Sequence, residues 1–593
     1  MRFVIAIVAF VLSAILIGTG IAQHTIFAPP RALSSTVHVP GKTHYVVVTS
    51  SAMNAYEGNQ KLSVSGYGDS KSLLVAYGRT SDVMAWIGND KYARVDYSKG
   101  SSTLTASVES PHNEIYDSYY QQGANISANP AGSDLWLGEF NGSAARDVDL
   151  SIPAGMSVIV SGNGKEVAPS SLTVSWPIDH DMFVPNFLLA TGAILLLIGL
   201  LLYLWGIYRH RSPGGPRRRS GKKMPRLPKS PVYKPVGAPK KIASGTRLFV
   251  PIVCTVALVG IFGSSAAYAD NSTTSTATPT ATGSATMPPA VTVAQLKAIV
   301  KRISAVAAQA DASGNATLAQ TRFSGPALQL RTADYTIRAK AGTQATPLTI
   351  PAGPIELALP QATNSWPRTV VAVVSSPAGS DGKPQAPIGL ALEQENPRAN
   401  YLVNYAVALQ PDAKVPNLAA ATVGTSVVPP DSKLLAIQPN KLGSAYGDVL
   451  LNGTSSTWIS KFDLSSDKLV PQVGTAYKQK VLAELQANSG NKTSLSWTSQ
   501  QGSGPIISMA TNDSGAIVWV NPEEVQLQKV VQAGAEIVNG PSVAALTGLS
   551  NSTTGIQSTF GYQLVFYVPP AGSTQKIQLL GFSQGLIAAS QIN

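Results

Sequence analysis

Three uncharged apolar runs divide the chain. They cover residues 3–21, 187–207 and 248–268, and each is close to the ~20 residues with which a helix crosses a lipid bilayer. The pattern predicts transmembrane helices over residues 1–22, 183–208 and 248–269. One folded region then lies before the second helix, and another follows the third.

Two of these runs also end like secretory signals. Residues 20–22, Gly-Ile-Ala, have the small-x-small form of a cleavage site, so the first run is either an anchor or a signal peptide removed after Ala22. Residues 267–269, Ala-Tyr-Ala, make the third run either a retained span or an internal signal that is cut after Ala269. We expect both runs to be retained.

Residues 30–180 carry short β-branched and aromatic runs separated by Gly, Asn and Pro, which is typical of strands. Strict alternation, as in 148–152, indicates strands with one buried face. One helix is expected at 81–87. The expected strands are 44–50, 61–66, 72–77, 92–97, 103–109, 134–140, 146–152, 156–161 and 171–176. This pattern predicts an all-β, sandwich-like domain that is extracytoplasmic.

The region after the third run has a different pattern. Residues 270–290 form a Ser/Thr/Pro tract that cannot bury enough apolar surface to fold, so we expect a stalk. Thr292 and Gln295 form a capping box that opens a helix. Helices followed by strands then occur twice. This order predicts an α+β extracytoplasmic region of two helix-then-sheet units, 291–412 and 425–593.

Charge gives these elements an orientation. The segment 209–247 holds 13 of the 44 basic residues and none of the 32 acidic residues, so the net charge of +12 comes from this segment. Basic residues beside membrane spans are retained on the cytoplasmic side. We therefore expect a disordered cytoplasmic loop that binds the anionic head groups of membrane lipids, in a multi-pass plasma-membrane protein. Nucleic acid is not an expected partner, because lipid attraction accounts for a basic loop beside a membrane.

Histidine and cysteine are too scarce for most catalytic and metal sites. The sole cysteine, Cys254, lies within an apolar run, so no disulfide forms within the chain. The 324 residues from Asp270 onward contain neither His nor Cys. Ser-His, Cys-His and His-zinc sites are thereby excluded in that region unless another chain contributes a residue. The sequence has no Walker-type or Gly-x-Gly-x-x-Gly phosphate loop. We expect no cofactor, no metal and no catalytic residue.

Carboxylates are the remaining candidates for acid–base or metal chemistry. Asp147 and Asp149, and again Asp179 and Asp181, match the Asp-x-Asp pattern through which many sugar-nucleotide transferases hold a metal. So short a pattern often occurs by chance, and no βαβ nucleotide-binding region accompanies it. The Glu-Glu pair at 523–524 follows Asn-Pro and is interpreted as a solvated turn.

Three tyrosines are the candidate ligand-binding residues. Tyr116, Tyr119 and Tyr120 lie among polar side chains within residues 111–122. They either stack on the sugar rings of a ligand or lie half-buried in a hairpin.

Several segments resemble a group of uncharacterised actinobacterial membrane proteins. They are the opening MRFVIAIVAFVLSAILIGTGIAQHTIFAPP, VAYGRTSDVMAWIG at 75–88 and PAGSDLW at 130–136. Some members of that group carry an automatic glycosyltransferase label, but the shared motifs have no assigned chemistry. The stretch ATLAQTRFSGPALQLRTADYTIRAK at 316–340 looks like the start of a nuclear-transport-factor-2-like domain. Catalytic members of that superfamily commonly use a pocket His, so its absence here favours a binding or structural role.

The sequence therefore leads to two functional hypotheses. The first is a non-catalytic cell-envelope protein with an extracytoplasmic binding or assembly role, whose partners are cell-wall glycans or other envelope proteins. The alternative is an envelope glycosyltransferase or an accessory subunit of one.

Overall fold

The structure is a computed structural model in which the chain forms two compact units. One comprises Met1–Ala28 with Asp181–Ala285, and the other comprises Pro29–His180 with Thr286–Asn593. The described residues are 2–28, 30, 32–65, 72–120, 129–143, 145–178, 183–210, 287–342, 347–379, 382–411, 413 and 416–592. Apart from 209–210 and 287–290, the expected basic loop, third apolar run and stalk at 209–290 lie outside these ranges.

The first 210 residues alternate short strands with helices. The helices are α1 (Arg2–Thr25), α2 (Ser50–Met53), α3 (Thr80–Ile87), α4 (Glu114–Tyr120) and α5 (Phe183–His210). The strands are β1 (Ala32–His38), β2 (Tyr45–Val48), β3 (Gln60–Ser65), β4 (Ser72–Arg79), β5 (Tyr92–Ser98), β6 (Thr103–Glu109), β7 (Gly138–Ser143), β8 (Arg146–Leu150), β9 (Met156–Ser161) and β10 (Ser171–Pro177).

Helices α1 and α5 form the described part of the first unit. In the ranges that the structure describes, they are the two helices long and apolar enough to cross a membrane, over Phe3–Thr25 and Phe183–Tyr208. Only 22% and 11% of their most apolar windows is buried, whereas the core helix of a soluble protein would be mostly buried. The two apolar helices expected at 1–22 and 183–208 are thus confirmed as helices of sufficient length.

Helix α5 presents a glycine to α1 at every seventh position. Seven residues are almost two helical turns, so Gly192, Gly199 and Gly206 lie on one face. A Cβ added at each would meet, in order, Ile17 Cγ1 at 2.6 Å, Phe10 Cε1 at 3.3 Å and Phe3 Cζ at 3.0 Å. Because the α1 numbers fall as the α5 numbers rise, the helices are antiparallel. Small residues allow this close approach of the two backbones.

We predict that cysteines placed at Ala9 and Gly199 form a disulfide. A Cβ at Gly199 lies 3.4 Å from the Ala9 Cβ, near the ~3.5–4.5 Å that a disulfide spans. In a chain carrying C254S, the A9C/G199C variant should no longer react with maleimide after mild oxidation, because both thiols are then joined in the disulfide. The matched control is G18C/G199C, because a Cβ at Gly18 has no neighbour within 4 Å. Equal labelling of the two variants would contradict the pairing.

The amino-terminal domain, residues 30–178, contains two sheets that share one core. Their strand orders are β1-β10-β3-β8 and β6-β5-β2-β9-β4-β7. Alternate residues of each strand point to the same face, so the apolar sets of the two sheets meet. Val37, Leu62, Val148 and Leu172 come from the first sheet, and Val46, Val75, Val95 and Val160 from the second. The expected β-rich domain is confirmed.

Parallel strands distinguish this domain from the all-β domain that was expected. β2 pairs with β5 in parallel, with Val47 opposite Arg94. β2 and β4 both pair antiparallel with β9, so β4 has the same direction as β2. Helix α3 connects β4 to β5 as a crossover. The alternating pattern predicted the strands but carried no information about their direction.

The carboxyl-terminal region, residues 287–592, begins with helices. They are α6 (Val293–Ser313), α7 (Ala316–Gln320), α8 (Gly325–Ala341), α9 (Pro439–Asn452), α10 (Val470–Val473), α11 (Thr475–Ser489) and α12 (Pro541–Thr547). The strands are β11 (Ile355–Pro360), β12 (Arg368–Val374), β13 (Ile388–Gln394), β14 (Leu402–Leu409), β15 (Phe462–Asp463), β16 (Thr493–Gln501), β17 (Ile507–Ala510), β18 (Ala516–Val520), β19 (Pro522–Val530), β20 (Ile537–Val538), β21 (Asn551–Ser552), β22 (Gly555–Val568) and β23 (Ile577–Ile592). The capping box of Thr292 and Gln295 is present at the start of α6.

One sheet of eleven strands runs through this region. Its main order is β11-β12-β13-β14-β23-β22-β18-β17, with β15 beside β23, β19 beside β22 and β16 beside β19. The two units expected at 291–412 and 425–593 therefore share a sheet, and they meet where β14 pairs with β23. Helices α6 to α8 cover the first half of one face, and α9 covers the second half.

The sheet curves back on itself to make a near-barrel. Val371 of β12 and Ile517 of β18 belong to the same buried cluster, although four strands separate β12 from β18 in the sheet order. A short extended segment joins the two edges of the sheet, because Thr425 pairs with Gln361 beside β11 and Val427 pairs with Met509 of β17. An unpaired strand edge is an aggregation hazard, and this segment pairs with part of β17 and with the residue that follows β11.

Candidate functional site: the junction of the two regions

The three candidate tyrosines lie on helix α4, where a loop or hairpin was expected. Tyr116 is half-buried and packs against the aromatic cluster that contains Trp86 and Tyr92. Tyr119 and Tyr120 are in the last turn of the same helix; their side chains lie outside the described part of the structure. Tyr116 thus packs against the core of the amino-terminal domain.

The Asp-x-Asp candidates do not form a metal site in the described residues. Asp147 and Asp149 lie on the exposed face of β8, at the edge of its sheet, where Asp147 forms an ion pair of 2.6 Å with Lys61. Residues 179–182 lie outside the described ranges. Within those ranges, no group of three or more His, Cys, Asp or Glu is placed to hold a metal.

Glu523 and Glu524 are buried, and their interpretation as a solvated turn was wrong. They are 8% and 6% exposed in strand β19. Glu524 forms an ion pair of 2.7 Å with Lys478, and Glu523 accepts a hydrogen bond from Gln500. The partners are supplied by α11 and β16, so the local Asn-Pro signal did not reveal them.

A second group of carboxylates lies between α6 and α8. Asp311 accepts hydrogen bonds from Arg331 at 2.7 Å and from Tyr335 at 2.5 Å, and it lines a cleft of about 260 Å³. Burial raises the pKa of the neighbouring Asp334 to about 6, against the opposing effect of Arg331 and Arg338. Because the Asp311 carboxylate is already held by two donors, we interpret this group as structural.

We predict that Asp334 makes the protein less stable as the pH rises through the range from its ordinary value of 3.8 to about 6. In that range the folded state holds a proton that the unfolded state has released, so the free energy of unfolding falls with increasing pH. Urea denaturation of D334N should show a weaker pH dependence there than the parent chain. The exposed Asp431 provides a control: D431N should keep the parent slope, and an unchanged slope in D334N would contradict the assignment.

The second unit contains a junction in which aspartates of the amino-terminal domain meet arginines of the carboxyl-terminal region. The pairs are Asp134 with Arg322 and Arg302, Asp82 with Arg368, and Asp90 with Arg398. Between 168 and 308 residues separate the partners in sequence. We name these residues the junction.

Asp134 is the most fully bonded of the three aspartates. Its side chain has no exposed surface, and its Oδ2 accepts from Arg322 Nη1 at 2.6 Å and from the Tyr401 amide at 2.9 Å. Its Oδ1 accepts from Arg302 Nη1 at 2.7 Å and from Arg322 Nη2 at 3.3 Å. A buried carboxylate is tolerated only when charge partners and hydrogen bonds replace its hydration. Here both oxygens have two donors.

The backbone around Asp134 is fixed by the other region as well. The Asp134 amide donates to Asn400 Oδ1 at 3.1 Å, and the Leu135 carbonyl accepts from Gln295 Nε2 at 2.8 Å. Gln295 also caps the first turn of α6 through its Oε1. This backbone forms turns, so the strand expected at 134–140 begins only at Gly138.

Asp82 is buried with fewer partners. Its Oδ1 accepts from Arg368 Nη2 at 2.8 Å, while its Oδ2 has no hydrogen-bond partner among the described residues. Arg368 Nε and the Tyr401 hydroxyl are also buried without such a partner. The Arg368 guanidinium lies over the Trp366 ring, 3.7 Å from its centre. This part of the junction pays a desolvation cost that its hydrogen bonds only partly offset.

Arg398 binds the carboxyl end of helix α3. Its Nε and Nη2 donate to the carbonyls of Trp86 and Ile87 at 2.8 and 2.9 Å, and Nη2 also donates to Asp90 at 2.7 Å. The last carbonyls of a helix lack partners within the helix and carry partial negative charge, so a cation is favourable there. The guanidinium also lies over the Trp86 ring, at 4.9 Å.

Each charged group of the junction contacts a partner in the other region, so the arrangement is suited to holding the two regions together. Sequence reasoning missed it because no local motif relates residues so far apart in the chain. The only signal was indirect. The two internal segments that carry the resemblance, 75–88 and 130–136, contain Asp82 and Asp134.

We predict that D134N lowers the free energy of unfolding by roughly 3–5 kcal/mol, because it leaves Arg322 buried without a full counter-charge. D82N should cost less, about 1–3 kcal/mol, since one oxygen of Asp82 is unpartnered already. Urea denaturation followed by tryptophan fluorescence measures both. D147N removes the exposed partner of Lys61 and should leave stability unchanged; an effect as large as that of D134N would contradict the special role of the junction.

A family model described as Domain of unknown function (DUF8094) matches residues 287–591. The match includes the four junction arginines and none of the three aspartates. No curated protein and no solved structure matches the chain.

Proposed function

The chain belongs to the family described as Domain of unknown function (DUF8094), and we propose that its DUF8094 domain is one half of a membrane-anchored, non-catalytic assembly. The other half is the amino-terminal domain. The junction carries this proposal, because its buried ion pairs hold together two regions that are far apart in the chain. Residues 179–286, which include α5, separate the two regions in sequence. The assembled pair acts as one binding or scaffolding body in the cell envelope.

The same junction supports a multi-pass topology. Residues 30–178 lie between α1 and α5, so if both helices cross the membrane this domain is on one side and the chain leaves α5 on the other. The carboxyl-terminal region packs with that domain in a single compact unit. On that condition, the chain would have to cross the membrane an odd number of times between 211 and 286. The apolar run at 248–268 is of the right length for one crossing.

Charge supports the sidedness of this arrangement. The basic segment 209–247 would remain in the cytoplasm, in contact with anionic lipid head groups, and both folded regions would be extracytoplasmic. The partners of the assembled body would then be cell-wall glycans or other envelope proteins. Turnover of a nucleotide sugar or a lipid-linked sugar by the purified chain, lost in D147A or D149A, would instead support the envelope glycosyltransferase alternative.

Cysteine labelling in intact cells tests the topology. On a C254S background, S101C and T574C place exposed thiols in the two folded regions, and S220C places one in the basic segment. An impermeant maleimide should label the first two without permeabilisation and S220C only after it. Labelling of S101C together with protection of T574C would contradict a single extracytoplasmic body.

Cutting the chain tests the assembly itself. With a specific protease site inserted between residues 271 and 286, we expect the carboxyl-terminal fragment to stay with the membranes after complete cleavage. D134K should release the fragment, because it would bury a lysine charge beside the positive charge of Arg322. The matched variant D147K reverses a charge on the exposed face of β8 and should not release it. Release of the parent fragment into the medium would contradict the proposal.

A further inference from the structure

A second site lies in the amino-terminal domain, in a cleft of about 260 Å³. It is formed where the parallel strands β2 and β4 end and where β5 runs beside β2. In sheets with parallel strands, ligands bind outside the carboxyl ends of the strands. The residues that follow β2 and β4 here are hydroxyl-bearing: Thr49, Ser50 and Ser51 come after β2, and Thr80 opens helix α3 after β4.

Arg94 supplies the charged group of the cleft. It lies opposite Val47 in the β2–β5 register, so both side chains are on the same face of the sheet. Its Nε donates to Asp96 Oδ2 at 2.6 Å, and the side chain is 47% exposed. Its two terminal nitrogens make no hydrogen bond within the described residues. A guanidinium held at Nε is oriented and presents a fork of donors to a ligand.

Asp96 organises the hydroxyl groups. Its Oδ1 accepts hydrogen bonds from Thr49 Oγ1 at 2.6 Å and from Ser51 Oγ at 3.0 Å. Burial raises the pKa of Asp96, but the hydrogen bonds from Thr49, Arg94 and Ser51 outweigh burial and place that pKa below its usual value. The carboxylate is therefore ionised and neutralises the charge of Arg94.

This hydrogen bonding determines what the cleft can recognise. A hydroxyl has one hydrogen and two lone pairs. With their hydrogens directed to Asp96, the Thr49 and Ser51 oxygens, which are 2.8 Å apart, act as acceptors toward a ligand. Thr49 Oγ1 already accepts from the Ala52 amide at 3.4 Å and so has one lone pair left. Arg94 acts only as a donor. An oxyanion such as phosphate offers mainly acceptors, and it would gain little from a guanidinium that Asp96 already neutralises. A ligand with adjacent hydroxyl groups satisfies both kinds of partner.

The remaining walls of the cleft are apolar apart from Ser157. Val47, Met84 and Tyr92 line it together with the polar groups. The C–H faces of a sugar ring pack on such surfaces while its hydroxyls bond to the polar side. A volume of about 260 Å³ is just below the ~300–1,000 Å³ of clefts that hold drug-sized ligands, so it suits a single ring. We propose that this cleft binds a hexose-sized sugar, with Arg94 and the hydroxyls of Thr49 and Ser51 as the recognition groups.

The test uses the full chain in amphipol, because the head groups of maltoside detergents are themselves sugars. Saturation-transfer NMR with methyl glucoside, methyl galactoside and methyl mannoside should show binding of at least one, with a Kd of about 1 mM for a ligand of this size. R94Q should weaken that binding at least tenfold, and S51A should weaken it to a smaller degree. Inorganic phosphate should not compete.

The matched control is K61Q, which removes a cation that is also paired with a strand aspartate, in the sheet β1-β10-β3-β8. It should bind the sugars like the parent chain. Unchanged urea denaturation of R94Q and S51A shows that any loss is local. Failure of all three sugars to bind, competition by phosphate, or equal binding by R94Q would each overturn the proposal. The proposal would also be overturned if Y119A lost sugar binding while R94Q kept it, because the site would then lie on α4.

Discussion

The burial of the Asp134 carboxylate is the constraint on which the second unit depends. A carboxylate without exposed surface requires donors on both oxygens, and here every side-chain donor belongs to the other region of the chain. If the two regions were apart, Asp134 and Arg322 would therefore need water or other groups to replace the hydrogen bonds that they make to each other. The cost of leaving one charge unpaired makes the interface specific: only a surface with basic groups at the matching positions can cover Asp134.

The carboxyl-terminal sheet meets a different constraint, which is the exposure of strand edges. Its β11 and β17 edges would each offer unpaired amides and carbonyls to other chains. Thr425 pairs with Gln361, just after β11, and Val427 pairs with Met509 of β17. Residues 425–427 thus link the two ends of the strand order without forming a full strand. The start of the second expected unit, 425–593, thus pairs with strands of both halves of the sheet. A region that looked like two domains behaves as one body for this reason.

The sequence predicted most individual elements, because these depend on local patterning. The capping box at Thr292 is found where expected, and the strand expected at 146–152 is found over Arg146–Leu150. Strand direction, the sharing of one sheet and the burial of Glu523 and Glu524 were not predictable in this way, since each depends on partners distant in sequence. The junction and the Arg94 cleft fall in the same class. Their residues are ordinary Asp, Arg, Ser and Thr until the fold brings them together.

Helix α3 borders both the cleft and the junction. Thr80 and Met84 line the cleft, while Asp82 and the end of the helix at Trp86 contact arginines of the DUF8094 domain. Eight residues of rigid backbone thus connect a solvent-open surface to a buried one. If a ligand in the cleft favours a shifted position of α3, it also changes the free energy with which the two regions associate. Thermodynamic linkage then requires the association of the two regions to change the affinity of the cleft for that ligand by the same factor.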